Sequence, residues 1–528
     1  MTEDGKQAAT AGSALSAGAA SLDKQMAKGA IWMVLARLID RSIGLVSTVI
    51  LARLLLPADF GLVAMATAIL AMLELLGTFG FDIALIQNPS ATRRHYDTAW
   101  TLNILLGVVI AAALLGIADT AAEFYGEPRL EPIITCLALA AFIQGFENIG
   151  TVAFRKEMRF NKEFNLLFAK KMVTFVVTIP LAIALRSYWA LVVGIVVSRM
   201  ASVVLTYWLQ EYRPRFSLAA RGELFHFGKW LVVSGLLNFL GNRSADFLVG
   251  KISGANELGL FNLSYEVSNL PTSDLIAPIN RAIFPGYARK AADPASLKRS
   301  YLEVIALIAA LGVPAGVGIA AVADLMVPVV LGPNWIKAVP VVVVLSFCGI
   351  LLALKSNSHY VYLALGRPRI ATLLGAIQVM LLLPMIALGS ARNGAFGVAI
   401  GYLIAQAVFS PISLTVLRRA LGLRFMDLFA AFYRPFIAAA VMFGGVRLVA
   451  SGFDTTPYDG VALIVPLLAC VAAGLGLYVV VLYLLWMIAG KPKGPEVQIL
   501  DLRPEPRLLV RRQEKGPVQD HASVVSPN

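Results

Sequence analysis

The sequence predicts an all-α polytopic membrane protein with about 14 transmembrane helices, arranged as two pseudo-symmetric six-helix lobes plus two C-terminal helices. Hydrophobic residues make up 58% of the 528 residues and charged residues only 15%, which leaves too few charges for the surface of a soluble enzyme. Apolar segments of the roughly 20 residues that span a bilayer recur along the chain. Basic and weakly charged loops alternate between these segments, as multiple membrane crossings require.

The apolar runs between polar breaks define fourteen candidate spans. Their approximate bounds are 29–52, 60–82, 97–117, 132–150, 164–185, 188–209, 226–250, 259–285, 302–324, 338–358, 369–390, 395–417, 432–451 and 460–489. We therefore divide the chain into units with different roles. These are a disordered N-terminal tail (1–25), an N-lobe (26–210), a basic linker (211–225), a C-lobe (226–420), a final helix pair (421–490) and a polar C-terminal tail (491–528).

Residues 1–25 lack the apolar core and small-residue cleavage site of a signal peptide. Every second loop carries several arginine or lysine residues, whereas most of the loops between them carry one. Because positively charged loops stay in the cytoplasm, both termini are predicted to be cytoplasmic. We attribute the net charge of +13 to loops that set the topology and face an anionic lipid leaflet, and not to binding of nucleic acid.

An internal repeat marks the start of each lobe. Span one contains Asp40-Arg41-Ser42 and span seven contains Asn242-Arg243-Ser244. Each span is followed by a short related motif, 58–62 (ADFGL) in the first lobe and 256–260 (NELGL) in the second. Two homologous lobes of equal topology indicate a parallel repeat that can rock around a central site, although chance matching of common residues is the alternative.

Charged and polar residues inside the apolar spans form the candidate site. A charge at the centre of a spanning helix costs roughly 2.5 to 3.5 kcal/mol, so such side chains should face protein or water. Those in spans one, two, seven and eight are expected to line a cleft between the lobes. They are Arg37, Asp40, Arg41, Glu74, Asp82, Asn238, Asn242, Arg243, Asp246, Glu266, Asp274, Asn280 and Arg281.

The four arginines of this set suit a phosphate or pyrophosphate group, because a guanidinium stays charged and matches phosphate oxygens with its planar fork of donors. They are Arg37, Arg41, Arg243 and Arg281. The alternative is that Arg37 with Asp40, and Arg243 with Asp246, form internal ion pairs that fix helix packing. The other members, Asp40, Glu74, Asn238, Asn242, Asp246, Glu266 and Asp274, are expected to line the cleft, couple an ion or pair with the arginines.

Pro271 lies three residues before Asp274 and is predicted to act as a hinge in the cleft. Lys170 and Lys171 are expected to snorkel to the cytoplasmic interface, and Glu147 to lie at a helix end. The four histidines have no metal-binding spacing, and nucleotide-binding and hydrolase motifs are missing from the sequence. We therefore expect no catalytic residues, no metal and no cofactor.

Several short motifs resemble those of bacterial polysaccharide exporters of the Wzx type. They are 56–65, 74–80, 84–87, 124–128, 188–192, 213–215, 227–228, 262–265, 269–271, 284–285 and 365–368. The resemblance runs from about residue 25 to 420 and implies the multidrug/oligosaccharidyl-lipid/polysaccharide superfamily. It implies a flippase of the bacterial inner membrane that moves a polyprenyl-pyrophosphate-linked oligosaccharide to the periplasmic leaflet for exopolysaccharide, capsule or O-antigen biosynthesis. Membrane lipids, a polysaccharide polymerase and a co-polymerase are the implied partners.

A more distant resemblance to lipid II flippases suggests that spans 432–451 and 460–489 form a groove for a lipid tail. The sequence is also compatible with two other functions. A cation-coupled multidrug antiporter of the same fold would favour carboxylates in the lobes. A membrane glycosyltransferase or polysaccharide polymerase would typically carry a large periplasmic loop, whereas all loops here are short.

Overall fold

The structure, a computed structural model, describes Trp32, Leu35 and residues 37–77, 80–88, 90–270, 276–453 and 462–490. These residues form helices and connecting turns, without a β-strand in the ranges just given. The helices are α1 (37–54), α2 (Pro57–Gly77), α3 (Phe81–Gln87), α4 (Arg93–Tyr125), α5 (Leu130–Gly145), α6 (Val152–Lys156), α7 (Phe160–Leu185), α8 (Trp189–Leu209), α9 (Arg221–Leu270), α10 (Ala277–Lys290), α11 (Pro294–Val330), α12 (Val339–Ala364), α13 (Pro368–Leu421), α14 (Phe425–Ala450) and α15 (Ile464–Ile488).

The two longest helices are hairpins of two helical segments. Helix α9 breaks at Gly254, whose φ of 83° is in the region that favours glycine, and α13 breaks at Asn393 and Gly394. Across the first break, Asn262 Nδ2 donates to Asp246 Oδ1 at 2.9 Å, so the chain folds back on itself. Each break thus separates two of the fourteen predicted spans.

The predicted all-α polytopic fold is confirmed. Nine helices in the described ranges are long and apolar enough to cross a membrane, or ten if the pair formed by α5 and the segment Ile149–Lys156, bent by 61°, is one span. With the hairpins of α9 and α13 this is consistent with fourteen crossings. The bounds of the lobes remain a prediction.

The second predicted span is divided in the structure. Segment 60–82 was predicted as one span, but α2 ends at Gly77 and Asp82 lies on the separate short helix α3. Gly80, immediately before α3, has a left-handed backbone (φ 60°) that a continuing α-helix does not allow. Asp82 is therefore not part of α2.

Following the predicted division, we call α1 to α8 the N-terminal half and α9 to α13 the C-terminal half. In the first, α4 packs on α5, α5 on α8 and α8 on α7; in the second, α11, α12, α13 and α9 pack in sequence. Helices α14 and α15 pack against α11 through a separate apolar core that includes Val313, Met442 and Tyr478. The final helix pair is therefore attached to the C-terminal half.

The two halves meet closely at the start of α2 and the second segment of α9. Gly61 and Gly259, the glycines of the repeated motif, face each other across this contact. A Cβ added to Gly61 would clash with the backbone carbonyl of Ala255, and one added to Gly259 with the carbonyl of Pro57. The repeat thus supplies the two small residues that allow the helix backbones to touch.

Buried aromatic contacts extend the same junction. Trp335, fully buried, donates from Nε1 to the Ala52 carbonyl at 2.7 Å and packs edge-to-face on Phe60, with ring centroids 5.4 Å apart. Lys251 donates to the Phe124 carbonyl and lies 4.8 Å from the Phe124 ring centroid. Loops 55–56, 126–129 and 331–338 lie on this side, which we call the junction side; the other is the basic-loop side.

Candidate functional site

A cavity of about 860 Å³ opens among α2 to α7 and the first segment of α9. Its lining combines apolar side chains with six charged ones: Asp82, Glu147, Arg155, Glu163, Lys170 and Arg243. Because α6 and the start of α7 border it, the cavity lies toward the basic-loop side. We call it the N-half chamber.

Arg243, a residue predicted to bind the substrate, lies on the wall of this chamber. Its Nη1 is 3.1 Å from Asp246 Oδ2, and Asp246 also accepts a hydrogen bond from Asn262. The ion pair that we considered as the alternative is therefore present. The side chain of Arg243 still exposes 47% of its surface, and a guanidinium has five donors, so further donors can reach a ligand.

Arg41, the repeat equivalent of Arg243, lies in a different pocket of about 270 Å³. Its Nη1 is 3.7 Å from Glu266 Oε1, which links α1 to the second segment of α9. In the same pocket Asp40 Oδ1 is 3.2 Å from Lys171 Nζ on α7. The alternative considered above was an ion pair of Asp40 with Arg37. In the structure Asp40 pairs with Lys171, a residue of another helix.

The remaining predicted residues are distributed over several places. Glu74 is 3.2 Å from Arg199 and borders a recess of about 260 Å³. Arg37 and Arg281 are exposed. Neither of them lines the N-half chamber or the pocket of Arg41. The four arginines therefore do not converge on one point in this conformation. The side chains of Asn238 and Asn242, and the whole of Pro271 and Asp274, lie outside the described residues.

Lys170 and Lys171, which we expected to snorkel, each pair with a carboxylate on another part of the protein. Lys170 Nζ lies 3.3 Å from Glu147 Oε1, and Ser202 donates to the same oxygen. Nearby, Arg155 contacts two carboxylates, Glu163 at 2.6 Å and Asp82 at 3.6 Å. Most of the chamber's charges are therefore neutralised by a neighbour on another helix.

Sequence reasoning missed the polar residues of α4 and α5 in this chamber. Asn103 and Gln144 line it together with Glu147, and all three also border the 260 Å³ recess. A polar amide within a span that is otherwise apolar was the available signal. It did not show that the two amides are neighbours, because they lie 41 positions apart in the chain.

The linker between the halves is fastened to the start of α4. Asp97, which is buried, accepts hydrogen bonds from the Tyr212 hydroxyl at 2.6 Å and the Arg215 backbone N–H at 2.8 Å. Burial, reinforced by the hydrogen bond to Asp97, raises the pKa of Tyr212 well above its usual range. This hydroxyl therefore stays a proton donor, and the first part of the predicted linker 211–225 is held against the N-terminal half.

Similarity to known proteins agrees with this architecture. WzxC, a lipopolysaccharide biosynthesis protein of Escherichia coli, is 27% identical over 425 residues, covering 79% of this chain and 86% of that protein. ExoT, a succinoglycan biosynthesis transport protein of Rhizobium meliloti, is 22% identical over 466 residues, covering 87% and 93%. The lipid II flippase MurJ in an inward closed conformation shares the fold, with a TM-score of 0.70, 9% identity and coverage of 86% and 98%.

The family of polysaccharide biosynthesis proteins matches residues 50–340, more than half of the chain. The same range contains both copies of the repeated glycine motif and all the described residues of the N-half chamber. The chain is a multi-pass membrane protein that belongs to the polysaccharide biosynthesis protein family.

Proposed function

We propose that the protein flips a polyprenyl-pyrophosphate-linked oligosaccharide repeat unit from the cytoplasmic to the periplasmic leaflet of the bacterial inner membrane. The product would feed a polymerase and co-polymerase that make exopolysaccharide, capsule or O-antigen. Membership of a polysaccharide biosynthesis family and the named role of ExoT in transport support this assignment. Both termini would lie in the cytoplasm, because the basic loops lie on their side of the membrane.

The observation that carries the proposal is a polar chamber with Arg243 on its wall, inside a bundle of apolar helices. A hydrophilic headgroup cannot cross the bilayer core without such a compartment, since each unpaired polar group costs several kcal/mol in hydrocarbon. Arg243 has donors free of the Asp246 contact and suits the pyrophosphate. Arg41, at the equivalent place in the other half, would engage the headgroup after its contact with Glu266 opens.

The two sides of the molecule support an alternating-access mechanism. Residues from both halves pack tightly on the junction side, around Gly61, Gly259 and Trp335. The chamber lies toward the basic-loop side. Rocking of the halves would break the junction and pull Arg41 and Glu266 into a new arrangement, so the chamber would then open to the periplasm.

An apolar groove offers a place for the polyprenyl chain. It has a volume of about 490 Å³ and is lined by α11, α14 and α15, including Pro314, Val446 and Leu475. An apolar chain gains nothing from the polar chamber and would stay in lipid or in such a groove during transfer. We assign the groove to the tail and the chamber to the headgroup.

A cation-coupled multidrug antiporter is the second candidate. The chamber lining has three basic and three acidic side chains, so the net charge of the lining does not distinguish an anionic from a cationic substrate. The acidic ones lie beside basic partners, as Asp82 and Glu163 do beside Arg155. This pairing leaves less free negative charge for a cationic drug and favours the flippase.

Deleting the gene in its host tests the proposal directly. Mass spectrometry of polyprenyl-linked sugars, with a membrane-impermeant probe to report their leaflet, should find complete repeat units trapped on the cytoplasmic side. Unchanged lipid-linked sugars with normal polysaccharide would favour the antiporter, and incomplete units would indicate an enzyme of glycan assembly.

Complementation of the deletion strain then tests the arginines. Arg41→Ala and Arg243→Ala should each abolish export while membrane insertion is retained, because each removes a donor set for the pyrophosphate. Arg94→Ala is the matched control, since Arg94 is exposed and lines neither pocket. Normal polysaccharide output in both test variants would refute the role of these arginines.

A further inference from the structure

Two carboxamides face the N-half chamber, and neither has a hydrogen-bond partner among the described residues. Asn103 on α4 and Gln144 on α5 are partly buried and line both the chamber and the adjoining recess. Among the described residues neither side chain makes a hydrogen bond, whereas the neighbouring Glu147 binds Lys170 and Ser202. Their hydrogen-bonding groups are therefore available to a ligand.

The packing of α4 on α5 fixes these amides side by side. Gly107 and Gly145 bring the two backbones together: a Cβ on Gly107 would lie 3.1 Å from the Ala141 carbonyl oxygen, and one on Gly145 3.0 Å from that of Asn103. Asn103 and Gln144 lie immediately beside this contact. Because the helices cannot slide or separate without losing it, the positions of the amides are set by backbone packing.

The depth of the site makes unpaired amides costly. Asn103 is six residues into the predicted span 97–117, or about 9 Å along the helix at 1.5 Å per residue. A polar group at such a depth costs free energy unless it is hydrogen-bonded. Apolar residues of the same size would make the bundle more stable, so the amides point to a function in binding.

The donors and acceptors of the site match hydroxyl groups. A carboxamide both donates and accepts, as a sugar hydroxyl does, and Glu147 and Lys170 add an acceptor and a donor nearby. Phe81 and Phe239 on the chamber wall provide apolar surface of the kind that lines small-molecule sites. A cationic drug would leave the amide N–H groups unpaired, whereas a pyrophosphate would not need the amide oxygens.

We propose that Asn103, Gln144 and Glu147 form the subsite that binds sugar hydroxyl groups of the transported lipid, apart from the arginines that bind its pyrophosphate. This inference rests on the proposed function. It predicts that the protein distinguishes lipids by their glycan through these residues. The same three side chains border the recess, which would hold the sugar unit that lies deepest in the chamber.

Binding of two lipids to the purified full-length protein in nanodiscs tests the subsite. One is the pool of lipid-linked saccharides extracted from the deletion strain; the other is polyprenyl pyrophosphate without sugar. The wild-type protein should bind the first about tenfold more tightly or better, since a few hydrogen bonds supply that difference. Equal binding of the two lipids would overturn the inference without requiring any variant.

Near-isosteric variants locate the effect. Asn103→Leu and Gln144→Met should each weaken binding of the sugar-bearing lipid by roughly tenfold and leave the sugar-free lipid unchanged. Asn161→Leu, at an exposed position of α7 outside the chamber lining, should change neither. Arg243→Met should weaken both lipids alike.

The outcomes separate this inference from the proposed function. Equal losses for both lipids in the amide variants would assign Asn103 and Gln144 a structural role and overturn the sugar subsite. If the wild-type protein binds neither lipid, and the deletion strain traps no repeat units, the flippase assignment itself fails. Trapped repeat units together with glycan-independent binding would retain the flippase and reject only the subsite.

Discussion

The two halves of the molecule share a repeated motif, but one pair of amide residues in each half has opposite surroundings. In the N-terminal half, Asn103 and Gln144 face a chamber, and their side chains make no hydrogen bond to any residue that the structure describes. In the C-terminal half, Asn280 and Asn357 are almost fully buried and bond to each other at 2.7 Å. A polar residue in an apolar helix is therefore not by itself a binding site, because its partners decide its role.

Four polar residues of the C-terminal half, Asn280, Tyr287, Ser356 and Asn357, form a closed network. Asn280 also donates to Ser356 at 2.7 Å, and Tyr287 donates to Asn357 at 2.9 Å. Lys355 donates to Gln406 at 2.7 Å and lies 4.7 Å from the Phe409 ring centroid. These contacts join α10, α12 and α13, so the network fixes the packing of this half.

The largest effect is expected where the halves touch. Gly61→Ala and Gly259→Ala should each force the junction apart, because the added methyl groups clash with backbone carbonyls of the other half. Overpacking of this kind costs typically 1 to 3 kcal/mol, roughly enough to shift the protein toward the state open on the junction side. Maleimide labelling of a cysteine placed at Phe60, in a variant lacking native cysteines, should increase in both.

Gly116→Ala is the control for these two variants, since a Cβ at Gly116 would have no atom within 4 Å. The comparison also tests the equivalence of the halves. Similar labelling of the Gly61 and Gly259 variants would support a symmetric junction. Labelling no greater than in the Gly116 variant would contradict the proposed separation of the halves at this contact.

A smaller but clear effect is expected in the closed network. Asn357→Leu should destabilise the purified protein by about 2 kcal/mol, since it removes the hydrogen bonds that Asn280 and Tyr287 make with Asn357. Thermal or denaturant unfolding in detergent measures the change. Asn334→Leu, at an exposed position, should have little effect. Equal stability of the two variants would show that the network does not hold the C-terminal half together.

The smallest stability change is expected for the chamber amides. Asn103→Leu and Gln144→Met should alter the unfolding free energy by less than about 0.5 kcal/mol or raise it, because no protein hydrogen bond is lost among the described residues. The same unfolding assay compares them with Asn357→Leu. A loss as large as that of Asn357→Leu would remove the contrast between the two halves.

Particular residues show how far sequence reasoning reached. The ion pair of Arg243 with Asp246 could be anticipated, because residues three apart lie on one helix face. The contact of Asp40 with Lys171 could not be anticipated, because it joins residues of different helices. The spacing of residues along one helix does not show which residues of another helix lie nearby. Arg41 and Arg243 were matched by the repeat, yet they line different pockets, because the halves are not packed around one shared cavity in this conformation.

The sequence by itself determined the apolar spans, the alternation of basic loops, the repeated glycine motif and hence the polytopic helical fold. These features depend on local composition and on the thickness of a bilayer, which act on each segment separately. Only the tertiary structure decided that Gly61 meets Gly259, that Lys170 meets Glu147 and that Asn103 lies beside Gln144. Such pairs depend on how each helix is rotated about its axis and which helices it touches, and packing of the whole bundle sets both.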